Sequence, residues 1–320
     1  MEDILMAQAA RQFLRSIRGE RSQVAFARRL GYKGNPIADW EAGRRSPTAA
    51  EVWRVCGLAG LDVPGAFLRF HSVVAEHIGQ ADDVGVAAWL TALRGNTPLH
   101  QVAAASGYSR FAISRWLSGQ TRPKLPEFLV LVEALTGRVS DLLFGLVAED
   151  KLPVLRERHV ARQASRRLAF EEPWTEAVLR VLETRQYVEA KAHRPGFIAE
   201  RLGISEQDEA RCLEKLRQAK VIAWSGTHYA GAEPLTVDTL SAPEKLRILK
   251  AHWAGVGLDR LQRPRNEQDL LSYNVFSVSE ADFQKIRELH RAYFREVRTI
   301  VASSEPTEVA AMINVQLMRW

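Results

Sequence analysis

Between Ser22 and Pro47 the chain reads SQVAFARRLGYKGNPIADWEAGRRSP. The residues there that could do chemistry are hydrogen-bond donors and cations: Gln23, Lys33, Asn35, Arg44 and Arg45, with Arg28 and Arg29 beside them. An Asn amide can pair bidentately with adenine, and a Lys ammonium can reach the guanine acceptors. Arg side chains supply positive charge for a polyanion, and each phosphate neutralised adds to salt dependence. Asp39 departs from this pattern. A carboxylate facing a groove must accept from cytosine or bridge to a neighbouring Arg, or it repels phosphate.

These side chains need a frame, and the local sequence specifies one. Ser22 can cap a helix whose inward face is Val24, Phe26, Ala27 and Leu30. Gly31 ends it. Asn35 or Gly34 opens the next helix, with Pro36 in the first turn, where a missing N–H costs nothing. Ile37 and Trp40 point inward, and Gly43 closes the helix. The order is that of a helix-turn-helix. A helix over 3–18 precedes it, and helices from Pro47-Thr48 and over Pro64–Phe70 follow.

The motifs Ser22-Gln23, Ala27-x-x-Leu30-Gly31, Ile37-x-x-Trp40-Glu41-x-Gly43-Arg44-Arg45 and Pro47 resemble the Xre/Cro/phage-repressor family of helix-turn-helix domains over roughly the first seventy residues. The resemblance implies that residues after the inter-helix glycine reach base edges. These are Lys33, Gly34, Asn35 and Asp39. It implies that Gln23 binds phosphate or braces a base-reading side chain, and that Arg44 and Arg45 hold phosphates.

The unit recurs at an offset of 76. Ala27, Gly31 and Tyr32 become Ala103, Gly107 and Tyr108, while Ile37, Trp40, Gly43 and Pro47 become Ile113, Trp116, Gly119 and Pro123. The shared residues are core and turn positions, so the fold is duplicated. The surfaces diverge: Gln23 becomes Leu99, Glu41 becomes Leu117, and Arg44-Arg45 becomes Gln120-Thr121. Residues 1–75 carry 11 Lys+Arg against 7 Asp+Glu, or +4, whereas residues 76–150 carry 6 against 8, or −2. The second copy keeps Ser109, Arg110, Ser114 and Arg115 on its presumed reading helix and Arg122 and Lys124 beyond. Ser109, Arg110, Arg115 and Arg122 are its candidate DNA contacts. Reading a second half-site, bracing or dimerising, and binding an effector are the open roles.

Composition is that of a folded protein of several domains: 320 residues, 46% hydrophobic, 26% charged, formal net charge +6. The basic balance permits nucleic acid without requiring it. Cys56 and Cys212 stand in apolar helical contexts, as buried free thiols would. The acidic N-terminus is unlike a signal peptide, and no apolar run is long enough to span a bilayer. A cytoplasmic, nucleoid-associated location is expected, with no membrane partner.

Downstream, residues 151–172 carry Arg156, Arg158, Arg162, Arg166 and Arg167, a basic linker helix. A helix through Val178 and Leu182, the stretch His193–Gly203, and a longer helix capped by Ile204-Ser205 and running through Leu216 lead to a strand Val221–Trp224 and its return at His228-Tyr229. That order is a winged helix. Its second helix opens with Glu206, Asp208 and Glu209, which would repel phosphate, so a structural or protein-contact role is favoured. Beyond a helix from Ala242 to Trp253, Ser272–Ser279 alternates as a strand, Glu280–Ser303 is amphipathic, and Thr307–Trp320 alternates again. Pairing with the wing or a second subunit would complete that sheet.

Gly196-Phe-Ile-x-x-x-Leu-Gly203-Ile-Ser, Phe276-Ser-Val-Ser279 and Met312-Ile-Asn-Val-Gln-Leu317 resemble the uncharacterised C-terminal domain of a family of predicted bacterial transcriptional regulators, over about residues 155–320. This implies regulation or dimerisation and no known chemistry. No Walker-type loop, GxSxG, HExxH or Cys/His cluster appears, so neither an enzyme nor a metal or other cofactor is expected. His71 and His77 read as a surface pair.

The expected architecture is mainly α. Two tandem five-helix domains (1–74 and 84–148, joined by a polar linker at 75–83) precede a basic helix with a winged-helix-like domain (151–238). A small α+β unit (239–320) ends the chain. The expected function is sequence-specific, DNA-binding transcriptional regulation by a homodimer on double-stranded DNA, open to an effector or protein partner. The competing expectation is a protein-interaction adaptor, antitoxin-like or RNA-polymerase-associated.

Overall fold

The computed structural model describes residues 2–71, 82–231, 243–263 and 267–320. Among these the chain is mainly α, with seventeen α-helices and one two-stranded sheet. It divides into two compact units, Met1–Ala161 and Arg162–Trp320.

The first unit holds α1 (Glu2–Arg18), α2 (Gln23–Arg29), α3 (Pro36–Ala42), α4 (Ala49–Ala59) and α5 (Val63–Phe70), then α6 (Asp83–Arg94), α7 (Leu99–Ser106), α8 (Arg110–Leu117), α9 (Leu125–Thr136) and α10 (Val139–Phe144). Side-chain caps start several of them. Ser22 Oγ accepts from Ala25 N at 3.2 Å, and Thr48 Oγ1 accepts from Glu51 N at 3.2 Å. Gly31 (φ 82°) and Gly107 (φ 75°) turn the chain in the left-handed region, where a Cβ would be strained. After each turn a Tyr meets a Trp edge-on: Tyr32 with Trp40 at 5.7 Å and Tyr108 with Trp116 at 5.1 Å.

The repeats, expected as consecutive domains, lie in one unit with one continuous buried cluster. Trp53 packs on Phe13 and Phe67 of its own repeat and on Phe128 of the other. Trp89 from α6 packs on Phe67 and Phe128. Periodicity marks which face of a helix is apolar but not which helix covers it. Residues 75–81 of the expected linker, and His77, fall outside the described residues.

The repeats meet reciprocally. Ala49 N donates to Pro123 O at 3.0 Å, and Leu125 N donates to Pro47 O at 2.9 Å. Thr48 and Lys124 form the antiparallel bridge between them. Each bond is the other shifted by 76 positions, the exchange that a local two-fold axis generates.

A long helix, α11 (Pro153–Glu171), spans the division between the units. Its Arg158 pairs with Glu2 at 2.6 Å and with Glu133 at 3.4 Å, and Arg162 and Arg166 are buried. Of the five arginines of the expected basic linker helix, Arg156 and Arg167 are exposed.

The second unit continues with α12 (Trp174–Leu182), α13 (Arg185–Val188), α14 (Phe197–Leu202), α15 (Glu206–Gln218), β1 (Ile222–Trp224), β2 (Tyr229–Gly231), α16 (Pro243–Gln262) and α17 (Glu280–Ser303). Strands β1 and β2 pair antiparallel with Ala223 opposite Ala230. Val178, Tyr187, Ile198, Cys212 and Leu216 form the core beneath them. The expected boundary at 238/239 falls outside the described residues. Helix α16 runs nine residues past the expected end at Trp253.

The expected strands at Ser272–Ser279 and Thr307–Trp320 do not form. Both lie outside helix and strand, and the described residues offer no third strand to either three-residue strand of the hairpin. Alternation suits a half-buried strand only where an edge supplies the ladder bonds. Tyr273 and Trp320, each 94% exposed, show that these stretches bury little. The expected α+β unit thus holds α16 and α17 and no strand among the described residues.

Candidate nucleic-acid interface

The surface of α2, its turn and α3 separates the candidate residues into three kinds. Lys33 and Arg45 are exposed, and among the described residues neither is in an ion pair. Arg28 and Arg29 on the outer side of α2 are the same. Gly34 is exposed in the turn.

Asn35 and Gln23 are already bonded. Asn35 Oδ1 accepts from Ala38 N at 3.4 Å, capping α3. A bidentate pair with adenine would share that oxygen with the cap, whereas both Nδ2 protons remain available. Gln23 Nε2 donates to Glu41 at 2.8 Å. Glu41 is 3% exposed and also accepts from Arg18 Nε at 2.6 Å. This buried triad braces α1, α2 and α3 against one another. In the sequence Glu41 stood out as a motif position beside Trp40 that becomes Leu117 in the second repeat.

Asp39 and Arg44 neutralise each other. Arg44 Nη2 lies 2.7 Å from Asp39 Oδ1, and Nε lies 2.8 Å from the same oxygen. Of the possibilities open to a carboxylate at this position, the bridge to an Arg is the one formed.

On the second repeat, Ser109 Oγ caps α8 by accepting from Ala112 N at 3.2 Å. Arg110 and Arg115 are exposed, and among the described residues neither is in an ion pair. Arg122 instead pairs with Asp83 at 2.8 Å. Phe111, 84% exposed, stands one residue into α8 and was missed by sequence reasoning. Its signal was available: it lies off the Ile113–Trp116 core face, at the place Asn35 holds in the first repeat. The triad has no counterpart here. Leu99 and Leu117 pack on the core, and Arg94 Nη1 turns to Thr97 O at 2.9 Å.

In the second unit, the three carboxylates that open α15 are not equivalent. Glu209 is 2% exposed and accepts from Gly196 N, Ile198 N and Ala199 N at 3.2, 3.1 and 2.6 Å. It faces inward and holds the start of α14, contrary to the expectation that all three confront phosphate. Asp208 is half-buried, and bonds from Ser205 and Arg211 hold its carboxyl below the usual range. His193 Nε2 lies 3.7 Å from Glu209 Oε1, and Tyr187 Oη lies 3.3 Å from His193 Nδ1. Burial depresses the His193 imidazole despite the nearby carboxylate.

Both cysteines are buried and free. Burial pushes the Cys56 thiol far up and, with Glu172 nearby, the Cys212 thiol up to about 11, so neither is a ready nucleophile. Among the described residues no group of three His, Cys, Asp or Glu could hold a metal ion, and no helix is long and apolar enough to cross a membrane.

Residues 155–319 match the family model described as a domain of unknown function, DUF4423. That is half of the chain. The chain belongs to the DUF4423 family. No curated protein and no solved structure matches it. The DUF4423 portion begins within α11, so both repeats lie upstream of it.

Proposed function

We propose that this DUF4423 chain is a sequence-specific DNA-binding regulator of transcription, with α2 and α3 acting as a helix-turn-helix that inserts α3 into the major groove. The observation that carries the reading is the cluster Arg28, Arg29, Lys33 and Arg45, four exposed cations outside any ion pair around α3. Elsewhere in the first unit Arg18, Arg122, Arg138 and Arg158 are held by carboxylates, while Arg110 and Arg115 on α8 are exposed and, among the described residues, in no ion pair. A surface that keeps its charges unspent beside a short exposed helix suits phosphate and base edges.

In this reading α12 to β2 form a winged helix that makes protein contacts. The extended segments after α16 bring two copies together through exposed Tyr273, Val275, Ile313 and Val315. An open cleft of about 390 Å³ beside Trp174, His252, Arg260 and Arg263 offers an effector a place within the second unit.

The adaptor reading draws on Phe111, an exposed aromatic ring suited to a protein surface. Gel-shift titration of purified chain against fragmented genomic DNA at moderate salt separates the two. Retention with enrichment of one sequence supports the regulator, and no selection supports the adaptor.

A further inference from the structure

We infer that a single chain reads a bipartite DNA site with two unlike halves, α3 on one half and α8 on the other. This rests on the DNA-binding reading above and goes beyond it by assigning a second reading surface and the form of the operator.

The first ground is symmetry. The bonds Ala49 N to Pro123 O and Leu125 N to Pro47 O exchange under a shift of 76, as does the bridge Thr48–Lys124. The helix contacts follow the same rule. Helix α1 packs on α9 and α6 packs on α4, so each first helix lies on the fourth helix of the other repeat. Helix α5 packs on α10, its own counterpart. Arg69 Nη2 donates to Gly145 O at 3.2 Å, joining one more position to its equivalent. The unit is an internal dimer about a local two-fold axis. Duplex DNA carries two-fold axes perpendicular to its own, and dimeric helix-turn-helix proteins match them by setting paired helices about one turn, roughly 34 Å, apart. A two-fold rotation carries whatever α3 presents along the axis to the same side of the molecule for α8.

The second ground is direction. Helix α3 ends at Ala42 and α8 at Leu117, a few residues before Thr48 and Lys124. The chain after each helix therefore leads to the axis. Asn35 and Ser109, at the other ends, sit where base-reading residues of such helices lie.

The third ground is chemistry. The negative balance of the second repeat is not on α8, which has no acidic residue. Its acids are engaged elsewhere: Asp83 holds Arg122, Glu127 Oε2 accepts from Lys124 N, and Asp141 holds Arg138. Helix α8 presents Arg110 and Arg115, whose guanidinium forks fit guanine, and Phe111, whose ring fits a thymine methyl. The turn into α3 presents the Lys33 ammonium and the Asn35 amide where the second repeat has Ser109 and Phe111. Two such surfaces select different bases, so the halves differ in sequence and are not inverted repeats of one another.

The test is selection from a random duplex pool with the full chain, in three forms: unaltered, Lys33→Ala, and Phe111→Ala with Arg115→Ala. All three side chains are exposed, and equal melting temperatures confirm equal folding. The unaltered chain should enrich two blocks of different sequence at fixed spacing. The α8 variant should lose base preference in one block, with about ten-fold weaker binding, and keep the other. Lys33→Ala should do the reverse. Two identical inverted blocks, both altered by Lys33→Ala and untouched by the α8 variant, would mean two copies each using α3. That result, or a single block, overturns this inference and leaves the DNA-binding reading standing. No enrichment by any form overturns both.

Discussion

Arg44 Nη2 lies 2.7 Å from the carboxylate of Asp39, five residues earlier in the chain, across the end of α3. The pair is partly exposed, so it adds little to stability. Its consequence is electrostatic: one of the two consecutive arginines after α3 is already neutralised, so on the proposed DNA-binding reading it offers phosphate less charge. Asp39→Asn should therefore tighten binding to all duplexes and steepen the salt dependence by about one counterion. Arg45→Ala should flatten the slope by about one, and Arg44→Ala by less. Fluorescence anisotropy of a labelled duplex between about 50 and 200 mM salt reads all three. Equal slopes for the two arginine variants would show that the pair opens on DNA.

The triad of Arg18, Glu41 and Gln23 makes a second prediction. Glu41→Ala leaves a mostly buried guanidinium and an amide without their acceptor. It should cost about 2–3 kcal/mol in urea unfolding, because an orphaned buried donor loses more than the bond was worth. Gln23→Leu with Glu41→Leu copies the second repeat, where Leu99 and Leu117 pack on the core. The double variant should recover most of the loss if apolar contact replaces the network. Equal loss in both forms would show that the first repeat cannot accommodate the leucines.

Trp53 touches aromatic rings of both repeats, so the repeats should unfold together. Trp53→Ala should cost about 3–5 kcal/mol. Hydrogen-exchange protection should fall in α7 and α8 as much as in α2 and α3. Loss confined to the first repeat would restore the picture of two separable domains.

His71, His193 and His252 are each held below the ordinary imidazole value in the folded chain, chiefly by burial and, for His71, also by Arg138. The unfolded chain then takes up protons first as pH falls through about 6.5. Stability should be flat above pH ~7 and decline between about pH 7 and 5, since it rises with pH wherever the unfolded state binds more protons. Melting temperature against pH measures this, and His193→Gln should shallow the decline. A melting temperature that rises on acidification would mean the Glu209 carboxylate outweighs burial at His193.

What was legible in the sequence was local. The cap at Ser22, the helix start at Thr48, the turns at Gly31 and Gly107, and the inward faces of Ile37 and Trp40 all follow from short-range rules. The hairpin at Val221–Tyr229 was legible for the same reason. What escaped depends on contacts across the chain. Glu41 and Glu209 look like solvent carboxylates until the donors that surround them are in place. The alternation of Ser272–Ser279 is a strand signal without the edge that would make it a strand. The offset of 76 was visible as a repeat, but the reciprocal bonds at Thr48 and Lys124 are visible only in three dimensions.

The central claim is that this chain binds duplex DNA by sequence through the helix after Gly31. Its most direct test is the affinity of the full chain for its best selected duplex and for a scrambled duplex of equal length, across a salt series. The account predicts tighter binding to the selected duplex by about a thousand-fold or more, with the logarithm of affinity falling linearly with the logarithm of salt concentration for both. Equal affinity for the two duplexes, or binding indifferent to salt, would contradict it.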